Sequence, residues 1–180
     1  MRIVGGTFGG RVLRAPHGAT TRPTSEKVRE AIFNILPSVE DGHVLDLFAG
    51  SGALGIEALS RGATHATFVD AGKPQLAVIR GNLKELGIED RATVIAGDAV
   101  AAAARPLSAG GTPYTLVTID PPYASDLAVR AATALTNLAA DCVVVIEHDR
   151  RNAPPDSVGS LVRTDQRRYG DTLVSFYRLA

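Results

Sequence analysis

At 180 residues, 45% hydrophobic and 21% charged, the chain is long enough for one domain with a full apolar core. Its 19 basic and 19 acidic side chains cancel, its single cysteine excludes an internal disulfide, and its four scattered histidines offer no metal-ligand spacing. No apolar run approaches a membrane span and the start lacks the apolar stretch of a signal peptide, so a cytoplasmic protein is expected.

"RIVGG" and "GRVLRAP" flank a glycine-rich turn and predict a small hairpin. "RPTSEKVREAIFNIL" predicts a helix capped by Thr24 or Ser25, with Val28, Ala31, Ile32, Ile35 and Leu36 on one apolar face. From residue 43 onward five apolar runs, "HVLDLF", "HATFVD", "ATVIAG", "YTLVTID" and "CVVVIEH", alternate with helix-forming stretches, the last of them spanning 125–139. That alternation predicts βαβ units and a parallel sheet. "SLVRTDQRRYG" and "DTLVSFYRLA" then predict an antiparallel hairpin closing one sheet edge. The expected fold is therefore α/β: a Rossmann-like, mostly parallel seven-stranded sheet. An N-terminal extension over 1–38 would precede the main domain at 39–180.

Charge is uneven along this plan. Residues 1–30 hold six basic groups (Arg2, Arg11, Arg14, Arg22, Lys27, Arg29) against Glu26 and Glu30. Residues 31–149 hold 7 basic and 14 acidic groups, and residues 150–180 hold six arginines against three aspartates. These charges are either solvated decoration or two basic ends that build one surface for a polyanion.

"DLFAGSGALG" places Gly50, Gly52 and Gly55 between a strand and a helix, a G-x-G-x-x-G pattern, and Asp70 ends the next strand. That much suits NAD as well as any other adenosine cofactor. Asp46, ahead of the loop, tilts the choice, because its charge repels a pyrophosphate and suits the ammonium and sulfonium of S-adenosylmethionine. Asp98, in "AGDAV", is placed to accept from an adenine amino group. Each aspartate alone reads as a helix or turn cap. Three on successive strand ends read as a binding edge.

"IDPPY" ends the fourth strand beside that edge. A nucleobase amino group is a poor nucleophile, since its lone pair is delocalised into the ring. The Asp120 carboxylate and the Pro121 carbonyl can accept its hydrogens and stabilise the developing charge. Pro121 and Pro122 fix the backbone that aims this carbonyl, and Tyr123 can stack on a base taken out of its stack. Glu147 and His148 end the fifth strand, where a satisfied strand-end pair is the simpler reading.

The motifs "RPTSEKVREAIFNIL", "VLDLFAGSGALGIEALSRGA", "FVD", "GDA", "IDPPY" and "YGDTLVSFYR" together resemble the bacterial 16S rRNA guanine-N(2) methyltransferase family, ribosomal RNA small subunit methyltransferase D. The resemblance runs nearly end to end, and the N-terminal motif separates it from other DPPY proteins. It implies S-adenosylmethionine as cofactor and methylation of a guanine 2-amino group in 16S rRNA, of the guanine(966)-N(2) type. The substrate would be an assembled or nearly assembled small subunit, and the enzyme a monomer without metal. Asp120, Pro121, Pro122 and Tyr123 would be catalytic. Asp46, Phe48, Gly50, Ser51, Gly52, Asp70, Asp98 and Ala99 would bind the cofactor, and Arg11, Arg14, Arg22 and Arg29 the RNA. A DNA methyltransferase of the adenine-N(6) type, an NAD-dependent oxidoreductase and a non-catalytic RNA-binding assembly factor are the competing readings.

Overall fold

The computed structural model describes residues 1–16, 25–105, 111–122 and 126–180. One eight-stranded sheet runs through it in the order β3-β2-β1-β4-β5-β8-β7-β6. Its parallel part comprises β1 (His43–Leu47), β2 (His65–Asp70), β3 (Ala92–Ala96), β4 (Tyr114–Ile119) and β5 (Leu138–His148). The antiparallel part comprises β6 (Ser157–Val158), β7 (Leu161–Tyr169) and β8 (Thr172–Leu179). The order reverses between β1 and β4, the switch point at which open α/β sheets open a crevice at the strand carboxyl ends.

The helices are α1 (Glu26–Ile35), α2 (Ala53–Ser60), α3 (Lys73–Leu86), α4 (Ala99–Ala103) and α5 (Leu127–Ala134). Two apolar layers sandwich the sheet. One joins Val44, Phe68, Val145 and Phe176 to α1, α2, α3 and the N-terminal Ile3 and Leu13. The other joins Leu47, Val69, Ile119, Val144 and Tyr177 to α4 and α5. The strands read as continuous apolar runs because both of their faces are covered.

The N-terminal hairpin is present as a single antiparallel bridge, Arg2 with Val12, extended by bonds from Ile3 N to Arg11 O and from Gly10 N to Ile3 O. Ser25 caps α1, its hydroxyl accepting from Val28 N at 3.2 Å; Thr24 lies outside the described residues. The expected apolar face of α1 is rotated. Val28, Ile32 and Leu36 are buried, but Ile35 is 39% exposed, and Phe33 and Arg29 turn inward instead. The reason is a buried partner for Arg29, described below.

Two further boundaries differ from the sequence expectation. The helix expected over 125–139 ends at Ala134, and β5 begins at Leu138. Asn137 takes a positive φ of 57° between them, a turn that Asn tolerates and helix propensity does not reveal. The eighth strand, β6, is two residues long and too short to leave a periodic signature. Cys142 is buried on β5, where burial pushes its thiol up to about 12, far from a reactive thiolate.

Candidate active site

The carboxyl ends of β1, β2, β3 and β4 surround one cavity of about 390 Å³. Asp46, Phe48, Gly50, Ser51, Asp70, Asp98 and Ala99 line it, and so do Asp120, Pro121 and Pro122. Thus four strand ends bring seven of the eight expected cofactor residues and the start of the DPPY motif to one space. Tyr123 lies outside the described residues.

Gly52 does not line the cavity. It is buried at the start of α2 with φ 78°, and a side chain there would press on Ile79 and Phe68 at 3.3 Å. Its role is to turn the loop into the helix. Gly50 also takes a positive φ, 59°, and so does the non-glycine Phe48. The loop therefore leaves β1 in a conformation that costs backbone strain at Phe48.

Each of the three expected cofactor aspartates accepts from at least one backbone amide. Asp70 bridges two turns, one carboxylate oxygen accepting from Gly50 N at 2.9 Å and the other from Gly72 N at 2.8 Å. Asp98 caps α4 by accepting from Ala101 N at 2.7 Å while also lining the cavity. Capping and lining are both true of this residue.

Asp46 lies within β1 rather than at its end, and it is 1% exposed. The Thr118 hydroxyl donates to one of its oxygens at 2.7 Å, and Gly55 N, in the first turn of α2, donates to the other at 3.0 Å. Burial pushes its pKa up from 3.8 to about 7, against those two hydrogen bonds, and the neighbouring charge of Asp70 adds to the rise. A carboxyl so poised is stabilised as the anion by any cation brought into the cavity.

The cavity carries four aspartates and no lysine or arginine among the described residues that line it. Among the described lining residues a pyrophosphate would find no basic side chain, whereas an ammonium and a sulfonium would find several carboxylates. The residues present therefore fit S-adenosylmethionine better than a dinucleotide.

Sequence reasoning missed part of the wall. Met1, Ala15 and Pro16 from the N-terminal segment, Gln75 from α3 and Leu127 from α5 also line the cavity. Nothing in their residue types marks them, because the chain fold alone brings them there. Neither Glu147 nor His148 lines the cavity. His148 is buried, with Nε2 against the Ser175 hydroxyl at 2.8 Å and Nδ1 against the Asp149 carbonyl at 2.9 Å.

The expected RNA arginines separate into different roles. Arg29 is 0% exposed and cannot meet a phosphate from where it stands. Its Nε lies 3.4 Å from Glu57, also fully buried, and its guanidinium donates to the Arg2 carbonyl. Glu57 in turn accepts from Val4 N, Gly5 N and Arg61 Nε, each at 2.8 Å, so this buried cluster fastens the N-terminal hairpin to α2. Arg11 is exposed and donates to the Glu85 carbonyl; Arg14 is exposed and pairs with the Glu85 carboxylate. Arg22 lies outside the described residues. Arg11 and Arg14 both bond to Glu85 of α3, which packs on β2 and β3, while Arg167 and Arg168 lie on β7 beyond β8.

The family model described as conserved hypothetical protein 95 matches residues 1–178. A Bacillus subtilis protein named "Putative rRNA methyltransferase YlbH" is 41% identical over 99% of this chain and 98% of its own. "Ribosomal RNA small subunit methyltransferase D" of Escherichia coli K12 is 38% identical over 86% of this chain and 78% of its own. A solved structure titled "Putative methyltransferase yhhF from Escherichia coli" is 34% identical and superposes with a TM-score of 0.86, covering 99% of this chain and 97% of that one. The β1 glycine loop, the aspartates at the strand ends and the match along nearly the whole chain agree: the protein belongs to the conserved hypothetical protein 95 family, that of ribosomal RNA small subunit methyltransferase D.

Proposed function

We propose that this protein transfers a methyl group from S-adenosylmethionine to the exocyclic 2-amino group of a guanine in small-subunit rRNA, of the guanine(966)-N(2) type. The carrying observation is that Asp120, Pro121 and Pro122 line the same acidic cavity as Asp46, Asp70 and Asp98. A motif suited to holding an amino group thus opens onto a space suited to a cationic methyl donor. The relatives named as rRNA methyltransferases supply the substrate class.

S-adenosylmethionine, when bound, supplies an electrophilic methyl on its sulfonium. The chain's own residues do the rest. Asp46 would supply the counter-charge to the donor, and the Asp70 and Asp98 carboxylates would accept from hydroxyl and amino groups of the adenosine part. Asp120 follows Ile119 directly, its amide donating to Leu47 O at 3.4 Å, so the β1–β4 ladder fixes its backbone. Its carboxylate and the Pro121 carbonyl accept the two amino hydrogens, orient the nitrogen lone pair and stabilise the positive charge that grows on nitrogen. Tyr123, outside the described residues, is the side chain whose chemistry suits stacking on the base. The substrate is an assembled or nearly assembled small subunit, which places the enzyme in the cytoplasm.

The test supplies methyl-labelled S-adenosylmethionine and small subunits from a strain lacking this protein. Label should enter 16S rRNA as a single N(2)-methylguanosine, and Asp120→Ala should abolish it. Label in DNA, or as N(6)-methyladenosine, overturns the assignment, and rRNA binding without any methylated product assigns a non-catalytic role.

A further inference from the structure

The N-terminal segment is both a carrier of exposed arginines and a wall of the cofactor cavity. Met1, Ala15 and Pro16 line that cavity, and the Ser51 hydroxyl of the glycine loop donates to Met1 Sδ at 3.5 Å. A single buried side chain ties segment and loop together. Asn82, on α3 and 1% exposed, accepts from Arg14 N at 2.9 Å and donates to Arg14 O and Ser51 O, both at 3.1 Å. An amide can accept from an N–H and donate to two carbonyls at once; no apolar side chain and no carboxylate of that length can. One turn along α3, Glu85 takes the guanidinium of the same Arg14. The backbone of Arg14 and the carbonyl of Ser51 are therefore held by one side chain.

We propose that Asn82 is a positioning residue that couples cofactor binding to RNA docking through the N-terminal segment. The coupling rests on the rRNA reading above, because it is Arg11 and Arg14 that would meet the phosphates. A ligand filling the cavity rests against Met1, Ala15 and Pro16 and restrains the segment before RNA arrives. Two ligands that both contact one segment favour the same placement of it, which makes them cooperative. Coupling of this kind is reciprocal, so RNA tightens the cofactor by the same factor. Removing residues 1–16 would take Met1, Ala15 and Pro16 out of the cavity wall.

The test uses the full chain, S-adenosylhomocysteine as the cofactor probe and small ribosomal subunits from a strain lacking this protein as the RNA probe. In the wild type, saturating S-adenosylhomocysteine should tighten subunit binding by about tenfold, within the usual range of coupling between sites. Asn82→Asp keeps the acceptor for Arg14 N but turns oxygen toward two carbonyls. It should reduce the coupling below about twofold and raise the Kd for S-adenosylhomocysteine about fivefold or more. Ala15→Glu, at an exposed position of the same wall, should raise that Kd and weaken the coupling without a change in melting temperature, which guards against an Asn82 variant that fails to fold. Undiminished coupling in folded variants, or none in the wild type, overturns the proposal. Absence of subunit binding by the wild type sinks the rRNA reading and the coupling with it. A normal cofactor affinity in both variants, with subunit binding intact, sinks only the inference.

Discussion

Asp46 and Thr118, both buried, face each other across the β1–β4 ladder, and the threonine hydroxyl donates to the carboxylate at 2.7 Å. This pairing, with Gly55 N on the other oxygen, is insufficient to keep the acid at its ordinary strength. Its pKa stands at about 7, burial being the larger effect. Near neutral pH the free protein therefore holds Asp46 partly protonated, and a bound ammonium favours the ionised form. Cofactor affinity should fall by up to about tenfold for each pH unit below 7 and level off above it. Calorimetry with S-adenosylhomocysteine between pH 5.5 and 8.5 measures this, and a flat profile would show that Asp46 does not sense the ligand.

The same residue ties function to stability. Its folded pKa is raised, so the folded chain keeps a proton that the unfolded chain has released between 3.8 and about 7. Its contribution to stability is full below that window and is lost as pH rises through it. Asp46→Asn removes the buried charge while leaving an oxygen to accept from Thr118 or Gly55. The variant without ligand should melt several degrees higher than wild type at pH 8 and close to it at pH 4, while its cofactor affinity falls. Equal shifts at both pH values would refute the charge as the cause.

At Asp120 the expectation concerns rate rather than binding. Asp120→Asn replaces an anionic acceptor with a neutral amide on the same backbone. Loss of one such electrostatic contact costs roughly 10²–10³ in kcat. Cofactor affinity should change less than about threefold, since Asp46, Asp70 and Asp98 stay held by backbone amides. Single-turnover kinetics separates the two quantities, and a variant that loses cofactor affinity in proportion to rate would place Asp120 in the cofactor site instead.

The parallel strands and the edge they share were legible because apolar runs, glycine turns and strand-end aspartates are local signals. Asp70 and Asp98 fall where the pattern puts them, and both also serve as backbone clamps, which the pattern leaves open. What stayed hidden depends on residues far apart in the chain. Arg29 reads as a surface base by composition, yet Glu57 on α2 draws it inward and rotates the buried face of α1 toward Phe33 and away from Ile35. Met1, Ala15 and Pro16 carry no chemical mark at all and become a cavity wall only because Asn82 and the Arg29–Glu57 cluster fold the N-terminal segment over the glycine loop.

Gly55 shows how close that folding is. Its backbone amide holds Asp46, and a Cβ built on it would stand 2.4 Å from the Phe68 ring, itself fully buried on β2. Gly55→Ala must push α2 off the sheet or turn Phe68 out of its place. Overpacking of this kind costs roughly 1–3 kcal/mol. Because α2 carries the amide that binds Asp46, the shift should also lower cofactor affinity. Pairing Gly55→Ala with Phe68→Leu should recover part of both losses. Urea unfolding and calorimetry on the single and double variants decide it, and losses that simply add would mean that the ring is not the obstacle.

The buried pair at Arg29 gives the sharpest contrast with a surface role. Arg29→Ala leaves the Glu57 carboxylate buried with Arg61 as its remaining cation. Breaking a buried pair by removing one partner costs roughly 3–5 kcal/mol, far more than an exposed arginine contributes. Arg11→Ala, at the surface, should change stability by less than about 0.5 kcal/mol. It should instead reduce the slope of log K against log salt for RNA binding by nearly one, the signature of one lost phosphate contact. Arg29→Met, which fills the same space without charge, should stay less stable than wild type for the same reason as alanine. Urea unfolding at pH 7 together with salt-dependent RNA binding assigns each arginine, and a reduced salt slope with unchanged stability in Arg29→Ala would return that residue to the RNA surface.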